Sequence, residues 1–259
     1  MNNNKNWEVE RQELLAKISQ LENRLEQVQQ LTAVGELAST TTHEFNNILT
    51  TVINYAQMGL RHKDDPTREK AFTKILDASN RAAKISRTVL GLARNRKPGF
   101  EPINLVQLTE DVLLLLEREM NKYRIQVEKE FQIVPEIMGN GNQIQQILVN
   151  LLINARQAMV QGGRLILKIV ADQENGTVDL TIRDFGVGIP TEKLPHIFDS
   201  FYTTKSGPDE SGKGGTGLGL SLCRNIMERH HGKIRVESSV GKGTAFILKF
   251  PVSSRCISE

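Results

Sequence analysis

One change of hydrophobic rhythm divides this 259-residue sequence. Up to about residue 92 apolar residues recur at helical spacing, whereas beyond residue 100 helix-like and strand-like stretches alternate. Between residues 8 and 35, Leu14, Ile18, Leu21, Leu25 and Val28 step by 4, 3, 4 and 3, a coiled-coil seam that wants a second copy of itself. Leu31 and Val34 then follow at steps of three, a slip that locally overwinds a supercoil. The same stripe also suits a single amphipathic helix lying on its own domain. Helical character continues through Phe45, Ile48, Leu49, Val52, Ile53 and Met58 and breaks at residues 61–66. There Asp65 as N-cap and Pro66 in the first turn open a second helix, carrying Phe72, Ile75, Leu76, Ala82, Ile85, Val89 and Leu92, which Lys97-Pro98-Gly99 stops. The pattern predicts an antiparallel hairpin whose stripes are too wide for one partner, so two hairpins should pair into a dimeric four-helix bundle.

After residue 100 the spacing predicts helices at residues 105–123, 142–160 and 217–229, and strands at 125–131, 164–170, 178–183, 233–237 and 244–250. Turns such as Glu174-Asn175-Gly176 and Val240-Gly241-Lys242-Gly243 join neighbouring strands, which predicts a mixed or antiparallel sheet covered on one face by helices. The expected class is α+β: a coiled-coil signal helix (1–31), a helical hairpin domain (32–99) and a two-layer α/β sandwich (100–259). With 39% hydrophobic and 24% charged residues the composition is that of an ordinary globular protein. No apolar run approaches the roughly 20 residues that span a bilayer, so membrane insertion by this chain is not expected. The polar start, Met1 to Asn6, lacks a secretion signal and suggests the cytoplasm. A net charge of +3, from 33 basic against 30 acidic residues, gives no polyanion-binding stripe, so nucleic acid is not an expected partner. Cys223 and Cys256 show no ligand spacing and read as free thiols.

Four segments carry chemistry. In the helix at 142–158, Asn142, Gln146, Asn150 and Asn154 recur every four residues on one face of an otherwise apolar helix. That line is either a solvated face or a set of amides that suits a hard Mg2+ ion carried by phosphates. Asp184-Phe185-Gly186-Val187-Gly188 follows a strand; Gly186 and Gly188 allow close backbone approach, and Asp184 either accepts a hydrogen bond from an exocyclic amine or simply makes a turn. Ser211 to Ser221 is glycine-rich and opens a helix, so its N–H groups can face phosphate. Gly212, Gly214 and Gly217 match GxGxxG formally, but a charged loop precedes them where a dinucleotide fingerprint needs a strand. Residues 203–215 read as a mobile lid, with Thr203, Thr204 and Lys205 as phosphate contacts or plain surface residues. Finally, His43-Glu44-Phe45-Asn46-Asn47 places a carboxylate beside an imidazole, which can hold one tautomer and sharpen the other nitrogen as a nucleophile. Asn47 rules out a zinc HExxH, and the remaining histidines, His62, His196, His230 and His231, share no ligand spacing and read as structural.

In order and spacing these segments resemble the sensor histidine kinases: the H-box at His43 to Asn47, the N-box at Asn142 to Ala158, the G1 box at Asp184 to Gly188, the F-box at Phe198 to Phe201, the G2 box at Gly215 to Leu220 and a late glycine turn at Gly241 to Thr244. The resemblance implies that residues 100–252 adopt the ATP-binding sandwich shared with DNA gyrase B type ATPases. It implies that His43 attacks the γ-phosphorus of ATP with Glu44 assisting proton removal, and that Asn47 orients water when a partner is dephosphorylated. Asn150 and Asn154 would hold Mg2+, Asp184 with Gly186 and Gly188 would receive the adenine, and Gly215, Gly217, Leu218 and Gly219 would cradle phosphate with Thr204 and Lys205 nearby. Implied partners are a second copy of the chain as homodimer, the receiver domain of a response regulator, and a separate sensor protein or a sensor domain missing from the N-terminus. Gln157 departs from the basic residue many members carry, and Asp209 and Glu210 in the lid would repel phosphate unless they face solvent. The alternatives are a gyrase B type ATPase, disfavoured because the N-box helix carries no acid to serve as general base, and a catalytically silent dimeric scaffold.

Overall fold

The structure, a computed structural model, describes residues 11, 12, 14, 17, 42, 44–62, 64–93, 99–203 and 217–252. Of the coiled-coil stripe, Leu14 is described and exposed; Ile18, Leu21, Leu25 and Val28 lie outside the described residues. Helix α1 covers 44–61 and α2 covers Asp65–Ala93. The cap of α2 is Asp64 rather than the expected Asp65, because the Asp64 carboxylate accepts the Thr67 N–H at 3.0 Å. Pro66 still falls in the first turn, where no N–H is missed. Ile48, Ala71, Ala78 and Ile85 are buried, while Leu49, Ile53, Leu60, Phe72 and Leu76 remain exposed on the same two helices.

The second part follows the order β1 (Glu101–Ile103), α3 (Leu105–Lys122), β2 (Ile125–Phe131), β3 (Ile137–Gly139), α4 (Gly141–Ala158), β4 (Gly163–Asp172), β5 (Thr177–Asp184), a 3-10 turn (Thr191–His196), α5 (Gly219–Arg229), β6 (Lys233–Ser239) and β7 (Gly243–Pro251). Five strands form one sheet in the order β2-β4-β5-β7-β6; β2 runs parallel to β4 and the other pairs are antiparallel. The expected mixed sheet is therefore present, and α3 packs on β2, α4 on β5 and β7, and α5 on β6, so the helices cross one face in the order α3, α4, α5. Between the layers Leu116, Ile144, Leu148, Leu152, Leu167, Leu180, Leu248 and Phe250 are fully enclosed. Sequence periodicity does not reveal the short β1–β3 ladder, whose three-residue strands are shorter than any repeat. It seals the core through Ile103 and Ile137, both buried.

Candidate functional site

The amide line predicted on α4 forms as expected. Ile144, Ile147, Leu148, Leu151, Leu152 and Ala155 bury one face, and Asn142, Gln146, Asn150 and Asn154 are half-buried along another. The helix begins where the Asn140 side chain accepts the N–H groups of Asn142 and Gln143. Asn150 donates from Nδ2 to the Gly219 carbonyl at 3.4 Å, so α4 and the start of α5 are joined at the site and the Asn150 amide oxygen is left for a ligand. Nε2 of Gln146 and Oε1 of Gln145 are buried with no partner among the described residues. A buried amide donor on that same line is costly unless something polar enters beside it. Cys223 lies within 3.9 Å of the Asn150 amide, and burial pushes its thiol up to about 12, so it is inert as a nucleophile. Among the described cysteines Cys223 is free; Cys256 lies outside the described residues.

Asp184 ends β5 and is 4% exposed. Burial raises its carboxyl above the ordinary range, partly offset by the N–H groups of Gly186 at 2.9 Å and Thr244 at 3.3 Å. Both bonds fall on Oδ1, so the turn and the ligand role are compatible and Oδ2 is the oxygen left to meet an amine. The turn is wedged in place: the Val187 N–H donates to the Ala158 carbonyl at the end of α4, the Gly241 N–H donates to the Val187 carbonyl, and the Ile189 N–H donates to Oγ of Ser238. Gly188 has φ +72° and its α-carbon faces the Ser239 carbonyl, leaving no space for a side chain. Gly243, whose role sequence reasoning left at a plain turn, abuts the Asp184 carbonyl in the same way.

Gly217 has φ +68° and sits against the backbone of Phe201, so the F-box and the G2 box touch. Leu218 is buried and occupies the N-cap position of α5, which begins at Gly219 rather than at the predicted Gly217 because Gly217 is left-handed. Thr203 is exposed. Thr204, Lys205, Gly215 and the rest of the expected lid lie outside the described residues, as does His43. Next to it, Glu44 is buried and pairs with Arg81 of α2, while Asn47 is exposed one turn further on. Sequence reasoning missed Arg81; His230, expected to be structural, is buried at the C-cap of α5. Its Nδ1 donates to the Ile226 carbonyl at 2.8 Å, and its Nε2 accepts the Asn140 N–H at 2.9 Å, tying α5 to the start of α4.

Residues 33–98 match the family described as His Kinase A (phospho-acceptor) domain, and residues 139–254 match Histidine kinase-, DNA gyrase B-, and HSP90-like ATPase. The chain belongs to the histidine kinase family. Sensor histidine kinase TmoS of Ectopseudomonas mendocina is 32% identical over 255 residues, which cover 95% of this chain and 26% of TmoS. This histidine kinase chain thus spans about a quarter of that relative's length. The catalytic domain of histidine kinase ThkA superposes with a TM-score of 0.52 at 32% identity, over 59% of this chain and 97% of that domain. ThkA crystallised in complex with response regulator protein TrrA aligns at 27% identity and a TM-score of 0.51, over 89% of this chain and 65% of the other. No helix among the described residues is long and apolar enough to cross a membrane.

Proposed function

We propose that this chain is the catalytic core of an ATP-dependent protein histidine kinase, in which His43 takes the γ-phosphoryl group and passes it to an aspartate on a response regulator. The observation that carries the reading is the half-buried line of Gln146, Asn150 and Asn154 on α4, whose Asn150 meets the start of α5 at Gly219 while the buried Asp184 turn docks on the last residue of the same helix. Adenine would meet Oδ2 of Asp184, with Gly186 and Gly188 allowing the ring to approach backbone. The phosphates would lie toward Gly217, Leu218 and Gly219, with Thr204, Lys205 and Gly215 contributing from the lid.

The donor set fits a hard cation, since the amide oxygens of Asn150 and Asn154 are neutral oxygen ligands beside a phosphate path. Held by Asn150 and Asn154, Mg2+ would supply charge neutralisation along the phosphate chain. The protein's part is placement: a nitrogen–phosphorus bond forms at His43, the bond from the γ-phosphorus to its bridging oxygen breaks, and ADP leaves. Glu44 holds the imidazole tautomer and receives its proton. The likeness to ThkA, solved with response regulator TrrA, supports a receiver domain as the next acceptor, and Asn47, exposed on α1, would orient a water when phosphate is removed from that receiver. The exposed apolar residues of α1 and α2 support a homodimer, and the domain limits 1–31, 32–99 and 100–259 stand as part of this proposal.

Incubation with labelled ATP and Mg2+ should give an acid-labile, base-stable phosphoprotein that His43→Gln and Asp184→Asn both abolish. Label that survives His43→Gln would overturn the assignment. Chasing the label with a receiver domain extends the test: Asn47→Ala should keep autophosphorylation and slow removal of phosphate from the receiver, whereas an equal loss of both would make Asn47 a packing residue.

A further inference from the structure

We propose that Arg81 is a positioning residue for the phosphorylation of His43, acting through Glu44; the inference rests on the histidine kinase reading above. Glu44 is 9% exposed, and a carboxylate so nearly enclosed needs a charged partner. Arg81 of α2 provides it with two nitrogens: Nε donates to Oε1 of Glu44 at 3.0 Å and Nη2 reaches the same oxygen at 2.8 Å. Two donors on one oxygen fix the plane of the carboxylate and leave Oε2 outside the ion pair.

The guanidinium is itself held from a third direction. Nη2 also donates to Oε2 of Glu117 on α3 at 2.7 Å, and one turn along α2, Lys84 pairs with Asp111 of the same helix α3 at 2.8 Å. The plane of the arginine fork is thus set by α1, α2 and α3 together, so the orientation of Glu44 depends on how the ATP-binding layer sits against the hairpin. Lysine lacks that fork: its ammonium is a point charge on a flexible stem and cannot fix a carboxylate plane. Helix α3 covers β2, at the opposite edge of the sheet from α5 and its Gly219, so the Glu117 contact leaves the proposed nucleotide cleft untouched. Arg81 therefore acts on the acceptor side of the reaction alone.

The test is a set of autophosphorylation rates and KM values for ATP. Arg81→Met should lower kcat about tenfold or more with KM unchanged, the loss typical of disturbing a general base. Arg81→Lys, which keeps the charge and guards against a folding defect, should fall between Met and wild type, and Glu117→Gln should lose about twofold, as expected for a half-exposed pair. The deciding measurement is the double variant. Because Arg81 works through Glu44, adding Arg81→Met to Glu44→Gln should lower the rate no further. An equal loss in both backgrounds would overturn the inference, as would a rise in KM at constant kcat, or Arg81→Lys matching wild type. A wild-type protein inert toward its own histidine would overturn the functional reading and this inference together; an active wild type indifferent to Arg81→Met would overturn this inference alone.

Discussion

At the scale of single residues, His230 shows how a polar side chain in the core serves the site at a distance. Burial lowers its pKa below the ordinary 6.5, against the pull of the Ile226 carbonyl, and the charges of His231 and Arg229 lower it further. Its neutral form is needed, since Nε2 must accept the Asn140 N–H; an imidazolium would set one donor against another. With the folded pKa depressed, the unfolded chain binds the proton first, so this contribution to stability is complete above the ordinary histidine value and is lost as pH falls through it toward the folded value. The urea midpoint of the wild type should therefore drop between about pH 7.5 and about pH 5.5, and His230→Gln should show a flatter dependence over that interval. Equal slopes would mean that His230 does not set the acid limb. The sequence marks His230 as structural, but its partner, the Asn140 N–H 90 residues away, is not legible there. For Asp184 the sequence left two readings open, a turn or a contact to an amine; the geometry shows the turn on Oδ1 and leaves Oδ2 outside it.

At the scale of elements, the Asp184 turn, the end of α4 and the β6–β7 turn form one locked joint. The lock depends on Gly188, whose φ of +72° and contact with Ser239 deny it a side chain. Gly188→Ala should cost about 2–4 kcal/mol, from left-handed strain together with backbone overpacking. Urea unfolding measures that directly, and a loss below about 1 kcal/mol would show that the joint can shift to admit a methyl group. The predicted strands and helices of the second half agree with the observed ones to within a few residues, because their apolar periods are long enough to read. The β1–β3 ladder was not readable, and the cap of α2 shifted by one residue because Asp64 and Asp65 are equally good cap residues and only backbone geometry chooses between them.

At the scale of the whole molecule, the hairpin leaves its own apolar stripe uncovered. Leu49, Ile53, Leu60, Phe72 and Leu76 are each more than half exposed, with Leu60 at 84%. Side chains of that size at helical spacing favour burial against a second hairpin. Sedimentation should find a dimer, and Ile53→Glu with Phe72→Glu should convert it to monomer while leaving nucleotide affinity intact; a wild type that stays monomeric at micromolar concentration would exclude the bundle. The sequence alone determined the two-part architecture, the amide-lined helix and the order of the glycine turns, because each is written in spacing along one element. Tertiary structure alone decided which partners those elements meet: Arg81 between Glu44 and Glu117, His230 beneath Asn140, and Gly243 against Asp184. The bonds of Arg81 and His230 span 36, 37 and 90 residues, and no local propensity encodes a contact formed only when separate elements pack.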